Sequence, residues 1–133
     1  MSEMTVLHPK SWAPAKGYSN GVMAEGRVVF IAGQVAFDAQ AKIMSGDFVT
    51  QVEQALKNVV SVLAEAGGEP KHITRLTWFV TDKKAYVSQQ AKIGEAYRRV
   101  IGRHFPAMSL LVVSALLEDD AKVEIEATAV LPR

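Results

Sequence analysis

Cysteine is absent from this chain. That excludes disulfides, thiolate nucleophiles and cysteine metal sites, and it is compatible with a reducing, cytoplasmic setting. Long apolar runs are missing as well. None approaches the roughly 20 residues that span a bilayer, so no membrane partner is expected. Met1-Ser2-Glu3-Met4 has neither the basic segment nor the apolar stretch of a secretory leader. Charge of one sign is lacking: 15 basic against 14 acidic residues leave a net charge of +1. Without a basic surplus or a basic–aromatic stripe, no nucleic-acid partner is expected. The three histidines, His8, His72 and His104, are scattered with no spacing of a metal site or triad. No metal and no cofactor are expected.

What is present is a chain of 133 residues with 49% hydrophobic and 22% charged side chains. That composition supports one packed domain over residues 1–133, with no internal repeat or linker. Residues 1–17 read as irregular, punctuated by Pro9, Pro14 and Gly17. Val22-Met23-Ala24 and Arg27 to Ala32 read as strands joined by a tight hairpin turn at Glu25-Gly26. From Asp47 to Ala66, Phe48, Val52, Leu56, Val59, Val60 and Leu63 recur at helical spacing. Asp47 is a fitting N-cap, and Gly67-Gly68 followed by Pro70 a strong stop. Ile73 to Thr81 is rich in β-branched and aromatic residues and reads as a strand. Tyr86 to Arg103 reads as a second helix; Gly94 inside it is unfavourable by about 1 kcal/mol relative to alanine, which points to close packing there. Met108 to Ala115 and Lys122 to Leu131 are the last strands. In the final one Val123, Ile125, Ala127, Ala129 and Leu131 share one face, and Glu124, Glu126, Thr128 and Val130 the other. The order is ββαβαββ: an α+β sandwich of one mainly antiparallel sheet with two helices on one face.

Two helices leave the second sheet face open, yet several strands do not alternate. Val28-Val29-Phe30-Ile31-Ala32 and Leu110-Leu111-Val112-Val113 carry apolar side chains on both faces, and Phe79 backs Leu76, Trp78 and Val80. A face this apolar should be covered, and packing between copies in a closed assembly covers it.

Four segments carry a resemblance: Gly17-Tyr18-Ser19-Asn20-Gly21, Ala32-Gly33-Gln34-Val35, Phe105-Pro106-Ala107-Met108-Ser109 and Val123-Glu124-Ile125-Glu126-Ala127. In this order and spacing, from about Gly17 to Val130, the chain resembles the Rid family of reactive-intermediate deaminases, also called the YjgF family. The resemblance implies a chorismate-mutase-like fold and a homotrimer. Its sheets would form an inner barrel, with clefts for a small molecule between subunits.

It also exposes departures. The family's deaminases read Pro-Ala-Arg-Ser, and the arginine forks onto the carboxylate of a 2-imino acid. Here that place is held by Met108, whose thioether neither donates a hydrogen bond nor supplies charge. The family's asparagine on the second helix falls at Gly94, and the position two after the arginine is Leu110. Three changes together imply a reshaped, less polar cleft.

Other positions match. Glu124 corresponds to the glutamate that holds or activates the hydrolytic water, a role suited to a partly desolvated carboxylate. Read without the family, it is one outward position of an alternating strand, beside Glu126. Tyr18 matches a tyrosine that lines the pocket, and Gly33 a glycine turn where backbone amides approach a ligand oxygen. Loop packing and a strand terminus with a special backbone angle are the plainer readings of these two. Asp38, Asp47 and Asp119-Asp120 read as turn or cap residues. Arg98-Arg99 and Arg103 read as a solvated basic face. An arginine supplied by another subunit, such as Arg27, Arg75 or Arg98, could stand in for the missing one. Trp12 either anchors the N-terminal arm or closes over a neighbour's cleft.

The expected function is therefore a homotrimer that binds a small metabolite and is weak or inactive on 2-imino acids. Two alternatives remain. One is an imine or enamine deaminase, a hydrolase in which Glu124 activates water against another substrate. The other is a non-catalytic metabolite sensor.

Overall fold

The computed structural model describes residues 4–44 and 46–133. Met1 to Glu3, read above for a leader pattern, lie outside the described residues. Six strands and three α-helices follow one another as β1 (Thr5–Leu7), β2 (Gly21–Met23), β3 (Arg27–Gln34), α1 (Phe48–Glu65), β4 (Ile73–Val80), α2 (Lys83–Ser88), α3 (Gln90–Val100), β5 (Ala107–Val112) and β6 (Val123–Leu131), with a short 3-10 turn at Pro70–His72 before β4. The α+β class holds, but the strands form two sheets. β1 pairs with β2, and the larger sheet has the order β3-β6-β4-β5. Its pairs are antiparallel except β4 with β5.

The hairpin expected at Glu25-Gly26 does not form. A two-residue type I′ turn needs positive φ at both central residues, and only Gly26, at φ 147°, has it. β2 pairs back to β1, inside the stretch read as irregular, while β3 pairs with the distant β6. Met23 stands opposite Thr5, and Val28 opposite Val130.

α1 begins where its cap dictates: the Asp47 carboxylate accepts from Thr50 N at 2.9 Å and from Thr50 Oγ1 at 2.8 Å. It ends in a Schellman motif, with Gly68 N donating to Leu63 O at 3.1 Å and Gly67 N to Ala64 O at 2.9 Å. Gly67 takes the left-handed φ of 80° that this stop requires.

The second helix starts earlier than expected and is broken. Asp82 caps α2 by accepting from Ala85 N, and the backbone leaves the helical path at Gln89. α3 stops at Val100, with Gly102 at φ 87° just beyond. β5 is also shorter than expected. Its neighbouring strand, β4, ends at Val80 opposite Val112; Val113 N still donates to Val80 O at 2.8 Å, and residues 114 and 115 lie beyond the end of β4.

The core lies between the larger sheet and the helices. Val52, Leu56, Val59 and Leu63 of α1 and Ile93 and Tyr97 of α3 pack on Leu76, Trp78, Val80, Val123, Ile125, Ala127, Ala129 and Leu131. The alternation read in residues 123–131 is the observed burial pattern. The opposite sheet face is uncovered in the single chain: Phe30 is 82% exposed, Val28 51% and Leu111 44%. Gln51, fully buried in α1, was not singled out from sequence. It donates to Asp120 O at 3.0 Å and accepts from Lys122 N at 2.8 Å, tying the loop before β6 to the helix. Among the described residues no helix is long and apolar enough to cross a membrane.

Candidate functional site

A cleft of about 480 Å³ opens between the β4–β5 edge of the larger sheet, the α2–α3 pair and the N-terminal arm. Side-chain alternation aims β5 into it. Met108 stands opposite Leu76 and Leu110 opposite Trp78, so both methionine and leucine face the helix side. Across from them lie Tyr86, Ile93, Gly94, Tyr97 and Arg98. Lys16, Gly17 and Tyr18 form the arm's lip. The lip is fixed by the next residue: Ser19 N donates to Pro106 O at 3.0 Å, and its hydroxyl to Phe105 O at 2.6 Å. Ser19 also bridges Ala107 at the start of β5.

The inner walls are aromatic. Tyr97 and Phe105 stack with ring centroids 5.6 Å apart and planes 11° from parallel; Trp78 lies 6.4 Å from Tyr97. Tyr97 donates its hydroxyl hydrogen to His104 O at 2.6 Å. Burial pushes the Tyr97 phenol above its ordinary range, so it is a fixed neutral donor and not an acid–base group. Trp78 Nε1–H is buried and has no acceptor among the described residues.

Of the six site residues expected from sequence, Tyr18, Gly94, Met108 and Leu110 converge on this cleft. Gly33 and Glu124 form a second cluster elsewhere. Glu124 stands opposite Phe79 on the uncovered sheet face. Gly33 lies in the bulge between the Ile31–Ala127 and Gln34–Ile125 pairs, directly beneath the Glu124 side chain. A Cβ at Gly33 would overlap that carboxylate. The expected special backbone angle is absent, since Gly33 is not among the glycines with positive φ; the glycine is there for room. The close packing expected at Gly94 comes down, among the described residues, to a single neighbour. A Cβ there would meet one atom, Arg98 Nη1 at 3.3 Å.

The remaining candidates resolve into structure. Asp38 accepts from Gln40 N and Lys42 N in a turn. His72 Nδ1 accepts from Glu69 N, and His104 Nε2 donates to Ile73 O. Trp12 is exposed and meets the His8 ring edge-on. Among the described residues no three His, Asp or Glu side chains are grouped to hold a metal ion. Sequence reasoning did not single out the aromatic walls as site residues, and of the three arginines it offered as substitutes for the missing one, only Arg98 lines the cleft among the described residues. The four-residue step from Gly94 to Arg98 was the available signal, since it places both on one helix face.

Comparison with known proteins agrees with this architecture. The Endoribonuclease L-PSP family profile matches residues 9–131. The chain is 36% identical over 124 residues to Protein DfrA of Myxococcus xanthus, covering 92% of this chain and 88% of that one. It is 29% identical over 114 residues to the human 2-iminobutanoate/2-iminopropanoate deaminase, covering 85% and 79%. The crystal structure of YyfB, a Rid protein of unknown function from Yersinia pestis, superposes with a TM-score of 0.86 at 32% identity, covering 97% of this chain and 99% of that one.

Proposed function

Because the chain belongs to the Endoribonuclease L-PSP family, which includes the Rid proteins, we propose that it is a cytoplasmic homotrimer that binds a small metabolite in clefts between subunits. We assign it weak or no activity on 2-imino acids. Met108 carries this reading. It lines the cleft from β5, where the resemblance calls for an arginine, and its neighbours Leu110, Trp78 and Phe105 make that wall apolar. A carboxylate moved against this wall would lose water and gain neither charge nor a donor in return. Without a clamp, a small substrate is neither held nor oriented for attack.

The trimer is supported by the uncovered sheet face, where Phe30, Val28 and Leu111 are exposed beside Glu124. In a single chain Glu124 does not line the cleft; a neighbouring copy covering this face is what would bring the two together. The bulge glycine that leaves space under Glu124 favours a second reading. In it the enzyme is a hydrolase whose Glu124 activates water against an imine or enamine lacking the usual carboxylate position. Glu124→Gln should then keep the trimer and abolish turnover.

The deciding assay compares wild type with Met108→Arg on 2-iminobutanoate and 2-iminopropanoate generated in place, with oligomeric state measured by light scattering. Little wild-type turnover and a gain of about tenfold or more in the variant support the proposal. Wild-type turnover matching that of the related deaminases refutes it.

A further inference from the structure

The cleft lacks a cation on its strand wall but has one on its helix wall. We infer that Arg98 is the anion-binding residue of this cleft, and that the ligand is an organic anion whose charged head meets α3 while its flat apolar body lies against the aromatic and methionine walls. This rests on the reading of the cleft as the ligand site.

Four observations carry it. First, Arg98 lines the cleft, and its guanidinium folds back one turn so that Nη1 lies 3.3 Å from where a Gly94 Cβ would be. An alanine at 94 would crowd that posture, so the helix gives up propensity at the position where the guanidinium lies. Second, the Arg98 guanidinium makes no hydrogen bond or ion pair among the described residues, whereas that of its neighbour Arg99 is engaged by Glu53 at 2.7 Å. Third, charge in the cleft is uncompensated. Lys16 stands on the arm's lip, and among the described residues no aspartate or glutamate lines the space. Two cations beside walls of low polarity attract an anion more strongly than the same charges on an open surface. Fourth, Trp78 lines the cleft and its buried N–H has no acceptor among the described residues, a donor that a bound polar group or a shift of the ring on binding would satisfy.

The guanidinium offers a planar fork of donors, which suits a carboxylate or a phosphate ester equally. Tyr97 on the helix side and Trp78, Phe105, Met108 and Leu110 on the strand side suit a flat or aliphatic body. Relative to a strand-held carboxylate, the head moves from β5 to α3. A cleft can in this way lose the β5 clamp and still select for anions.

The test uses the intact protein and three probes with aromatic bodies: indole-3-acetate, its neutral analogue indole-3-acetamide, and phenyl phosphate. Affinity is read by calorimetry, and location by the indole N–H signal of Trp78 in two-dimensional NMR. The chain has two tryptophans, and exposed Trp12 serves as the internal control. The expected result is that an anionic probe binds at least tenfold more tightly than the amide and shifts the Trp78 signal. Arg98→Gln should remove that preference, and Arg98→Lys should keep part of it. Arg99→Gln, whose arginine is held by Glu53, should leave it intact. Whichever of carboxylate and phosphate binds more tightly identifies the head group. Equal binding of acid and amide by wild type, or an unchanged preference in Arg98→Gln, overturns the assignment of Arg98 while leaving the cleft as a ligand site. If no probe moves the Trp78 signal, both the assignment and the reading of the cleft beneath it fail.

Discussion

Gly94→Ala is the substitution on which the local argument turns. Gly94 is interior to α3, and alanine there should gain the intrinsic helix preference of about 1 kcal/mol. Against this stands the cost of the new methyl group. Outside the helix's own backbone, its one neighbour within 4 Å is Arg98 Nη1 at 3.3 Å, the free end of a flexible side chain. Moving that end by a few tenths of an ångström forfeits a contact worth about 0.1–0.2 kcal/mol. The net expectation is a stabilisation of roughly 0.5–1 kcal/mol. Urea unfolding at fixed protein concentration should show a higher midpoint with an unchanged slope. The same variant should bind indole-3-acetate more weakly, because the methyl group shifts the guanidinium from its resting position. A destabilisation greater than about 1 kcal/mol would refute the reasoning. It would mean that Gly94 packs against a surface that the single chain does not contain. Stabilisation with unchanged anion affinity would refute the link to Arg98.

Three other outcomes are expected. Gly26→Ala should cost roughly 2–5 kcal/mol, since Gly26 holds φ 147° and its Cβ would overlap the Leu131 carbonyl; a loss below about 0.5 kcal/mol in urea unfolding would contradict this. Gln51→Leu should cost roughly 2–4 kcal/mol by leaving Asp120 O and Lys122 N without their partner, and hydrogen exchange at the Lys122 amide should quicken. Acid should weaken the fold through Asp47 and Glu53. The Thr50 amide holds the Asp47 carboxyl below its ordinary 3.8, and the Arg99 hydrogen bond holds Glu53 below 4.5. Groups lowered in this way contribute stability that is complete above about pH 5 and lost as pH falls below about 4. Asp47→Asn with Glu53→Gln should therefore flatten the acid limb of stability against pH, and an unchanged slope would speak against it.

The elements were legible wherever one local rule dominated. Two-residue alternation from Val123 to Leu131 matches the burial of β6 residue by residue. The Asp47 cap and the Gly67-Gly68 stop bound α1 because each answers free backbone groups within one turn. Misreadings arose where two rules compete over distance. Glu25-Gly26 resembles a hairpin turn, but β3 gains more from the long apolar ladder with β6. Tyr86 begins an apolar helical pattern, yet Asp82 captures the helix start three residues earlier than the first expected turn.

The site divides along the same line. The sequence by itself determined the α+β class, the spacing of the segments that resemble the Rid family, and the identity of Met108, because these are properties of residue order and chemistry. Only the tertiary structure decided which side chains meet. Tyr18 shares the cleft with Met108 because Ser19 ties the arm to the start of β5. Arg98 joins the cleft because α3 presents it and Gly94 on one face toward β5. Glu124 is kept from that cleft because alternation in β6 points it to the opposite face of the sheet. Distances between segments remote in sequence depend on packing, and no local pattern encodes them.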